Sequence, residues 1–322
     1  MATGCFVSTG RSLERAVARV KLAEELGYKS VWVTQIAGRD ALTVLTVYAL
    51  STSRIRLGTG VVPIYTRAPA TMGQQAVTLD EVSAGRLNLG LGVSHRPVVE
   101  GWYGQSIDKP VREIREYVGI VRAIARGEDP PEGEKWRTGF RLAGVDPRPE
   151  LKVYVAALSP AMLRAAGEIA DGVVLWLCNP NYIRDVVVPE LATGRERAGR
   201  GLEGFDVVAA VPAAATDDRA GAYAAMRREL FTYFSLPFYR AAIERSGFEG
   251  DVAAFDAAAA QGDPEAMAAA ISDDFLSILT AVGDEDRVRA GVAAYAEAGT
   301  TSPCVGPIPK TDFEATLRAA AP

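Results

Sequence analysis

Four times along this chain a helical stretch closes on glycine and a strand-like stretch begins at once: Leu26-Gly27-Tyr28, Ala84-Gly85-Arg86, Asp171-Gly172-Val173 and Ala298-Gly299-Thr300. Glycine accepts the left-handed turn that ends a helix without steric cost. The alternation it punctuates specifies a parallel sheet with helical crossovers. Two architectures share that pattern, a closed barrel and an open doubly wound sheet. The open sheet is disfavoured because no GxGxxG follows the first strand, and Gly58-Thr59-Gly60 lacks the third glycine at the required spacing. The expectation is an α/β fold of the (β/α)8 TIM-type barrel class.

Strands are expected at Gly4–Thr9, Lys29–Thr34, Ile55–Val62, Arg86–Val93, Lys152–Ala157, Gly172–Cys178, Phe205–Ala214 and Ser302–Val305. Ser12 caps a helix with Leu13, Val17, Val20 and Ala23 on one face, Pro69 opens another, and Ser159-Pro160 a third. Pro189 predicts a kink or break in a helix over Asn181–Arg200. Two segments depart from the alternation. Residues 128–150, rich in proline, glycine and charge, read as a long exposed loop insertion with a small hairpin near Trp136–Leu142. Residues 217–280 read as helix upon helix, a helical insertion after strand 7 with no evident core of its own, so 1–322 is taken as a single barrel domain.

A chain of 322 residues with 48% hydrophobic and 23% charged content has the material for one large barrel core. Its net charge of −5 gives no basic stripe for phosphate backbones, which argues against nucleic acid and for a small-molecule substrate. The opening MATGCFVSTGRSLERAV has no basic-then-apolar signal pattern and no run is long enough to span a bilayer, so the expected setting is cytoplasmic, away from membranes. Cys5, Cys178 and Cys304 are scattered without a CxxC pair, which suggests neither a disulfide framework nor a metal site.

In a closed barrel the ligand site lies at the C-terminal ends of the strands. The residues there are Ser8-Thr9, Gln35-Ile36, Gly60 to Pro63, Val93-Ser94-His95, Ala157-Leu158-Ser159, Trp176-Leu177-Cys178 and Pro212. Gly58 and Gly60 interrupt what would otherwise be a buried strand, the mark of a bulge or of close backbone approach to a ligand. His95 is the chain's only histidine; it reads as a hydrogen-bond or proton donor, or as a group orienting the Arg96-Pro97 turn. At Ala157-Leu158-Ser159 free N–H groups favour an anion, unless the turn is a plain Ser-Pro cap. Ser8, Trp102 and Trp176 are candidates for a substrate pocket. Arg39 and Asp40 read as a pair with each other or as ligands for an anionic substrate. The aromatic run Phe231–Tyr239 reads as core packing, with a lid or a subunit contact as the alternatives.

The order GTGVVPIYTR, QQAVTLDEVSAGR, LGLGVSH, with GYKSVWV, DGVVLWLCNP and VRAGVAAYAEAGTTSPCVGPIP elsewhere, resembles the luciferase-like flavin and deazaflavin oxidoreductases, and most of all the branch that uses coenzyme F420. The resemblance implies hydride transfer, which needs little acid-base machinery from the protein. It implies that Gly60-Val61 is a bulge with a non-prolyl cis peptide supporting one face of the ring, beside Val62. Ser94 and His95 would lie near cofactor or substrate, and Ala157, Leu158 and Ser159 would hold the cofactor's phosphate side chain. Sugar-phosphate dehydrogenases of the family carry an Asp-His pair where this chain has Gln35-Ile36. That departure favours reduction of an activated C=C or C=N bond over alcohol oxidation, with His95 and Gln35 as catalytic candidates. The alternatives are an FMN-dependent monooxygenase and a noncatalytic flavin-binding barrel. Barrels of this family are often homodimers, which sets the expected assembly.

Overall fold

A computed structural model describes residues 4–322. Eight parallel strands close the barrel: β1 (Gly4–Phe6), β2 (Ser30–Val33), β3 (Arg56–Thr59), β4 (Leu87–Gly92), β5 (Lys152–Ala156), β6 (Gly172–Leu175), β7 (Asp206–Ala215) and β8 (Ser302–Pro307). Closure is made by β8, which pairs with β1 at Gly4 and Cys304 and with β7 at Val208 and Ser302. The glycine joints behave as the sequence requires: Gly27, Gly85 and Gly299 adopt φ of 89°, 79° and 108°. Gly172 instead opens β6 against the ring of Tyr154, which an added Cβ would strike at 2.4 Å.

Two apolar layers hold the barrel. Outside, helices such as Ala41–Ser51, Pro69–Val82 and Pro110–Arg126 bury Leu45, Tyr48, Met72, Val77, Ile114 and Tyr117 against the outward faces of the strands. Inside, Trp32, Tyr154, Val174, Val208 and Cys304 fill the lumen, with Phe6 and Val61 partly buried above them. Trp32 meets Tyr154 edge to face at 5.2 Å between ring centroids, a favoured aromatic geometry. The lumen is therefore a packed core on which the mouth rests.

The end of the barrel opposite the mouth is bound by charge. Glu24 accepts N–H groups from Ser53, Arg54 and Ile55. Burial alone would raise its pKa, but those donors and the Arg54 charge pull it below the ordinary carboxylate range. The Arg86 guanidinium donates to the carbonyls of Ala49, Thr52, Ile55 and Ser83 and to the Thr52 hydroxyl. Asp80 pairs with Arg148 at 2.7 Å.

Residues 128–150 contain no strand, so the hairpin expected near Trp136–Leu142 does not form. The N–H groups of Glu134, Lys135 and Trp136, which a hairpin would need, go instead to the Glu116 carboxylate. The Trp136 ring stands edge-on to Tyr117 at 5.3 Å. Pro189 is accommodated by a wide π-helical turn, Ile183–Val187, just before the helix Val188–Arg197, where its missing N–H costs no regular hydrogen bond.

Residues 217–280 are helical, as expected, in the segments Arg219–Leu230, Pro237–Ile243, Glu249–Ala260, Pro264–Ala269 and Asp273–Leu279. The expectation that they lack a core is overturned. Phe234, Phe255, Phe275, Leu276 and Met226 form a buried cluster, which continues into Leu177, Ala214, Val282 and Ile308 at the strand ends. A short strand at Ala281–Gly283, absent from the sequence reading, pairs in parallel with Ala213–Ala215. At three residues it is too short to carry a periodic signal. Among the described residues no helix is long and apolar enough to cross a membrane.

Candidate active site

The mouth is organised by an irregularity between β3 and β4. Leu57 and Gly58 pair with Leu87 and Asn88, whereas Val62 and Pro63 pair with Leu91 and Gly92. Four steps on one strand thus face three on the other, which defines a bulge with one extra residue. The Gly60–Val61 peptide within it is cis, as the family resemblance implied. The ladder gap is closed by a side chain: the Thr59 hydroxyl donates to the Gly90 carbonyl at 2.7 Å and accepts from the Gly90 N–H at 2.8 Å.

Glycines make room for the bulge. A Cβ on Gly60 would meet the Phe6 ring at 2.7 Å, one on Gly90 the Thr59 carbonyl oxygen at 2.0 Å, and one on Gly92 the Val61 side chain at 2.7 Å. Val61 therefore lies over Gly90 and Gly92, with Ala156 of β5 next to it and Phe6 on the other side of Gly60. The result is a small apolar shelf, Val61 half-buried and Val62 wholly buried behind it.

Along the rim, Ser94 has φ of 57° and Leu177 also 57°. Left-handed backbone is uncommon for non-glycine residues and clusters at functional turns. Ser94 delivers His95 to the first position before the helix Arg96–Tyr103, where the imidazole does not cap. Its ring instead faces Tyr239 at 5.7 Å. Tyr239 meets Tyr233 edge to face at 4.8 Å, and Tyr233 meets Trp176 at 6.3 Å. A continuous row of rings thus runs from the end of β4 to the end of β6, its two middle members supplied by the helical excursion. Burial pushes the His95 pKa below its ordinary value, so the imidazole is neutral at neutral pH.

Gln35 is half-buried, its amide oxygen accepting the Ala41 N–H at 3.3 Å. Ser159 caps the helix Pro160–Ile169 by accepting the Met162 N–H. Leu158 gives its carbonyl to the Tyr182 hydroxyl at 2.8 Å, and Ala157 is buried. Ser8 is exposed and accepts the Gly10 N–H at 3.4 Å. Trp102 is 55% exposed, touches only the Tyr103 ring among the aromatic groups, and stands outside the row. Arg39 and Asp40 do not pair with each other. Arg39 donates to the carbonyls of Gly10 and Arg11, and Asp40 pairs with Arg67 at 2.6 Å.

The bulge, Ser94, His95 and Trp176, singled out in the sequence, lie together at the mouth, whereas Tyr233 and Tyr239, expected to pack in the core, join them there. Helical periodicity does not show which face of an excursion will turn toward the barrel. Asn179, which ties the end of β6 to the excursion by donating to the Ser246 hydroxyl at 3.0 Å, carried no signal either. All three cysteines are buried and unpaired, and burial holds their thiols well above the usual range.

A family model described as luciferase-like monooxygenase matches residues 1–302. A Mycobacterium tuberculosis protein named "Putative coenzyme F420-dependent oxidoreductase" is 33% identical over 88% of this chain and 87% of its own length. The 5,10-methylenetetrahydromethanopterin reductase of Archaeoglobus fulgidus is 30% identical over 89% of this chain and 87% of the relative. Among solved structures, the coenzyme F420-dependent tetrahydromethanopterin reductase of Methanopyrus kandleri superposes with a TM-score of 0.84 at 25% identity, covering 99% of this chain and 97% of that one. Fold and relatives together define an oxidoreductase built on a closed parallel α/β barrel. The chain belongs to the luciferase-like monooxygenase family.

Proposed function

We propose that the mouth binds coenzyme F420 and that the enzyme uses it to reduce an activated C=C or C=N bond of an organic substrate. The observation that carries this reading is the shelf of Gly60, Val61 and Val62, a flat apolar support whose glycine neighbours leave no room for a side chain. It fits a planar ring held by one face, so that substrate approaches from the other. The names of the relatives support the deazaflavin over FMN. When bound, the cofactor supplies the hydride.

This chain's residues bind, orient and exclude water. Val61 carries the ring, and Ser94 sets the turn that aims His95. The Ala157-Leu158-Ser159 turn, at the N-terminal end of a ten-residue helix, favours the anionic side chain of the cofactor through its N–H groups. His95, neutral because it is buried, donates one ring N–H as a hydrogen bond, and water delivers the proton. Gln35 has its amide oxygen engaged by Ala41, which leaves its NH2 group to donate to substrate. Ser8 and Trp176 border the substrate side, with Trp102 at its outer margin.

The test is a titration of the purified protein with oxidised F420 and, separately, with FMN, followed by turnover of reduced F420 with enones and with imines. Binding of the deazaflavin alone and oxidation of the reduced cofactor by one substrate class is the expected result. Preference for FMN overturns the cofactor assignment and moves the chemistry to oxygen. Binding of F420 without turnover of either class leaves a noncatalytic carrier. The reading includes a homodimer of single-domain chains working in the cytoplasm; a monomeric mass by light scattering at every concentration removes the dimer.

A further inference from the structure

Beside the mouth lies a second feature with different chemistry. A cavity of about 340 Å³ is lined by Thr9, Gly10, Arg11, Ser12, Arg15 and Arg19. Thr9 is three residues beyond Phe6, whose ring abuts Gly60 of the shelf, and three residues of chain reach at most about 10 Å. Arg15 and Arg19 stand one turn apart on the helix Leu13–Glu25, and Arg11 lies in the loop just before its Ser12 cap, on the wall of the same cavity. Among the described residues none of the three has a carboxylate within ion-pair distance, and Glu14, the acidic residue of the helix's first turn, pairs with none of them. In a chain of net charge −5 with 40 acidic residues, three adjacent unpaired guanidiniums are conspicuous.

Other observations on the same walls favour an anion. Ser12 caps only the Arg15 N–H, so the first N–H groups of the helix stay free beside the cavity. Arg39 donates to the carbonyls of Thr9, Gly10 and Arg11, which fixes the loop and removes its competing acceptors. Arg19 is braced over the Phe313 ring at 4.1 Å, so its guanidinium is held in place.

We propose that this cavity is a subsite for the carboxylate- or phosphate-bearing end of a molecule whose reactive part sits in the mouth. Guanidinium forks suit both anions through paired N–H donors. The molecule is the substrate, which then carries an acidic tail, since the cofactor's anionic side chain is assigned to the Ala157-Leu158-Ser159 turn four strands away round the barrel. That its reactive part sits in the mouth rests on the F420 reading.

The experiment titrates the cofactor-free protein with pyrophosphate and with citrate, followed by calorimetry. It is repeated with the double variant Arg11→Gln/Arg15→Gln and with Arg228→Gln, an exposed arginine elsewhere on the surface. The double variant is expected to weaken binding by about tenfold or more and the control by less than about twofold. Added salt should weaken binding to the unaltered protein. No binding to the unaltered protein, or equal weakening in both variants, overturns the subsite. Because no cofactor is present, that failure is distinct from failure of the F420 reading. Repeating the titration with F420 bound tests the source. Undiminished binding with F420 present is expected for a substrate subsite, and competition by F420 overturns it.

Discussion

The two ends of the barrel are built from opposite materials. At the closed end, ionic groups are consumed by backbone groups and hydroxyls: Glu24 takes three N–H groups, Arg86 makes four hydrogen bonds to carbonyls and one to the Thr52 hydroxyl, and Asp206 accepts from the hydroxyls of Thr301, Ser302 and Tyr154. At the mouth the materials are a shifted ladder, two left-handed non-glycine turns and a row of four rings, one of them an uncharged imidazole. Charge that is fully hydrogen-bonded stabilises the fold and has nothing left for a ligand. The mouth keeps its donors and its flat surfaces free for one.

If that division holds, changes at one end should leave the other end's property alone. Arg86→Ala strands the carbonyls of Ala49, Thr52, Ile55 and Ser83 and is expected to cost about 3 kcal/mol of stability. Cofactor affinity per folded molecule should be unchanged; urea melts alongside an F420 titration check both, and a parallel loss of affinity breaks the comparison. Gly60→Ala forces a methyl to within 2.7 Å of the Phe6 ring. It should cost about 2 kcal/mol and lower cofactor affinity by about tenfold or more, read by fluorescence titration beside a thermal melt.

Glu24→Gln sharpens the picture through pH. The folded pKa lies below the unfolded value of 4.5, so the stabilisation is complete above about that pH and is lost as the carboxylate protonates in more acid solution. The variant should lose about 1.5 kcal/mol at pH 7 and show a flatter acid limb in denaturant melts between pH 5 and pH 3.

Tyr239→Ala should weaken substrate binding several-fold, seen as a raised KM, with a melting temperature within a few degrees of the parent. The smallest effect belongs to His95→Gln. Burial places the folded pKa of His95 below 6.5, so its contribution is whole above that pH and declines as pH falls. The variant should remove a slight loss of stability below pH 6.5, and with water as the proton source kcat should keep its pH profile between about pH 6.5 and 8. A much lower kcat in the variant, with loss of a pH limb that the parent shows, would make His95 the acid.

The barrel was legible because its signals are local. Gly27 and Gly85 mark helix ends by a backbone need that few other residues meet, and Pro69 and Ser159 start helices by chemistry confined to one turn. The bulge was legible for the same reason, since Gly58 and Gly60 break an apolar run. What escaped depends on distant chain. Glu116 captures N–H groups about twenty residues away and thereby cancels a hairpin that local composition allowed. Tyr239 meets His95 across 144 positions, a contact set by how the excursion folds back and not by its own periodicity. The resemblance to a family supplied the cis peptide, which no composition or spacing in this chain announces.

The pairing of Ala281–Gly283 with Ala213–Ala215 fastens the exit of the excursion directly beside its entrance. Everything between departs from and returns to one fixed point, and it meets the barrel through Leu177, Ala214, Val282 and Ile308 at the strand ends. The segment that brings Tyr233 and Tyr239 to the rim is therefore a cassette whose outer residues are open to change while those packed on the strand ends are not. Lineages, or a protein engineer, gain a route to a different rim by rewriting its outer residues while the barrel is inherited intact.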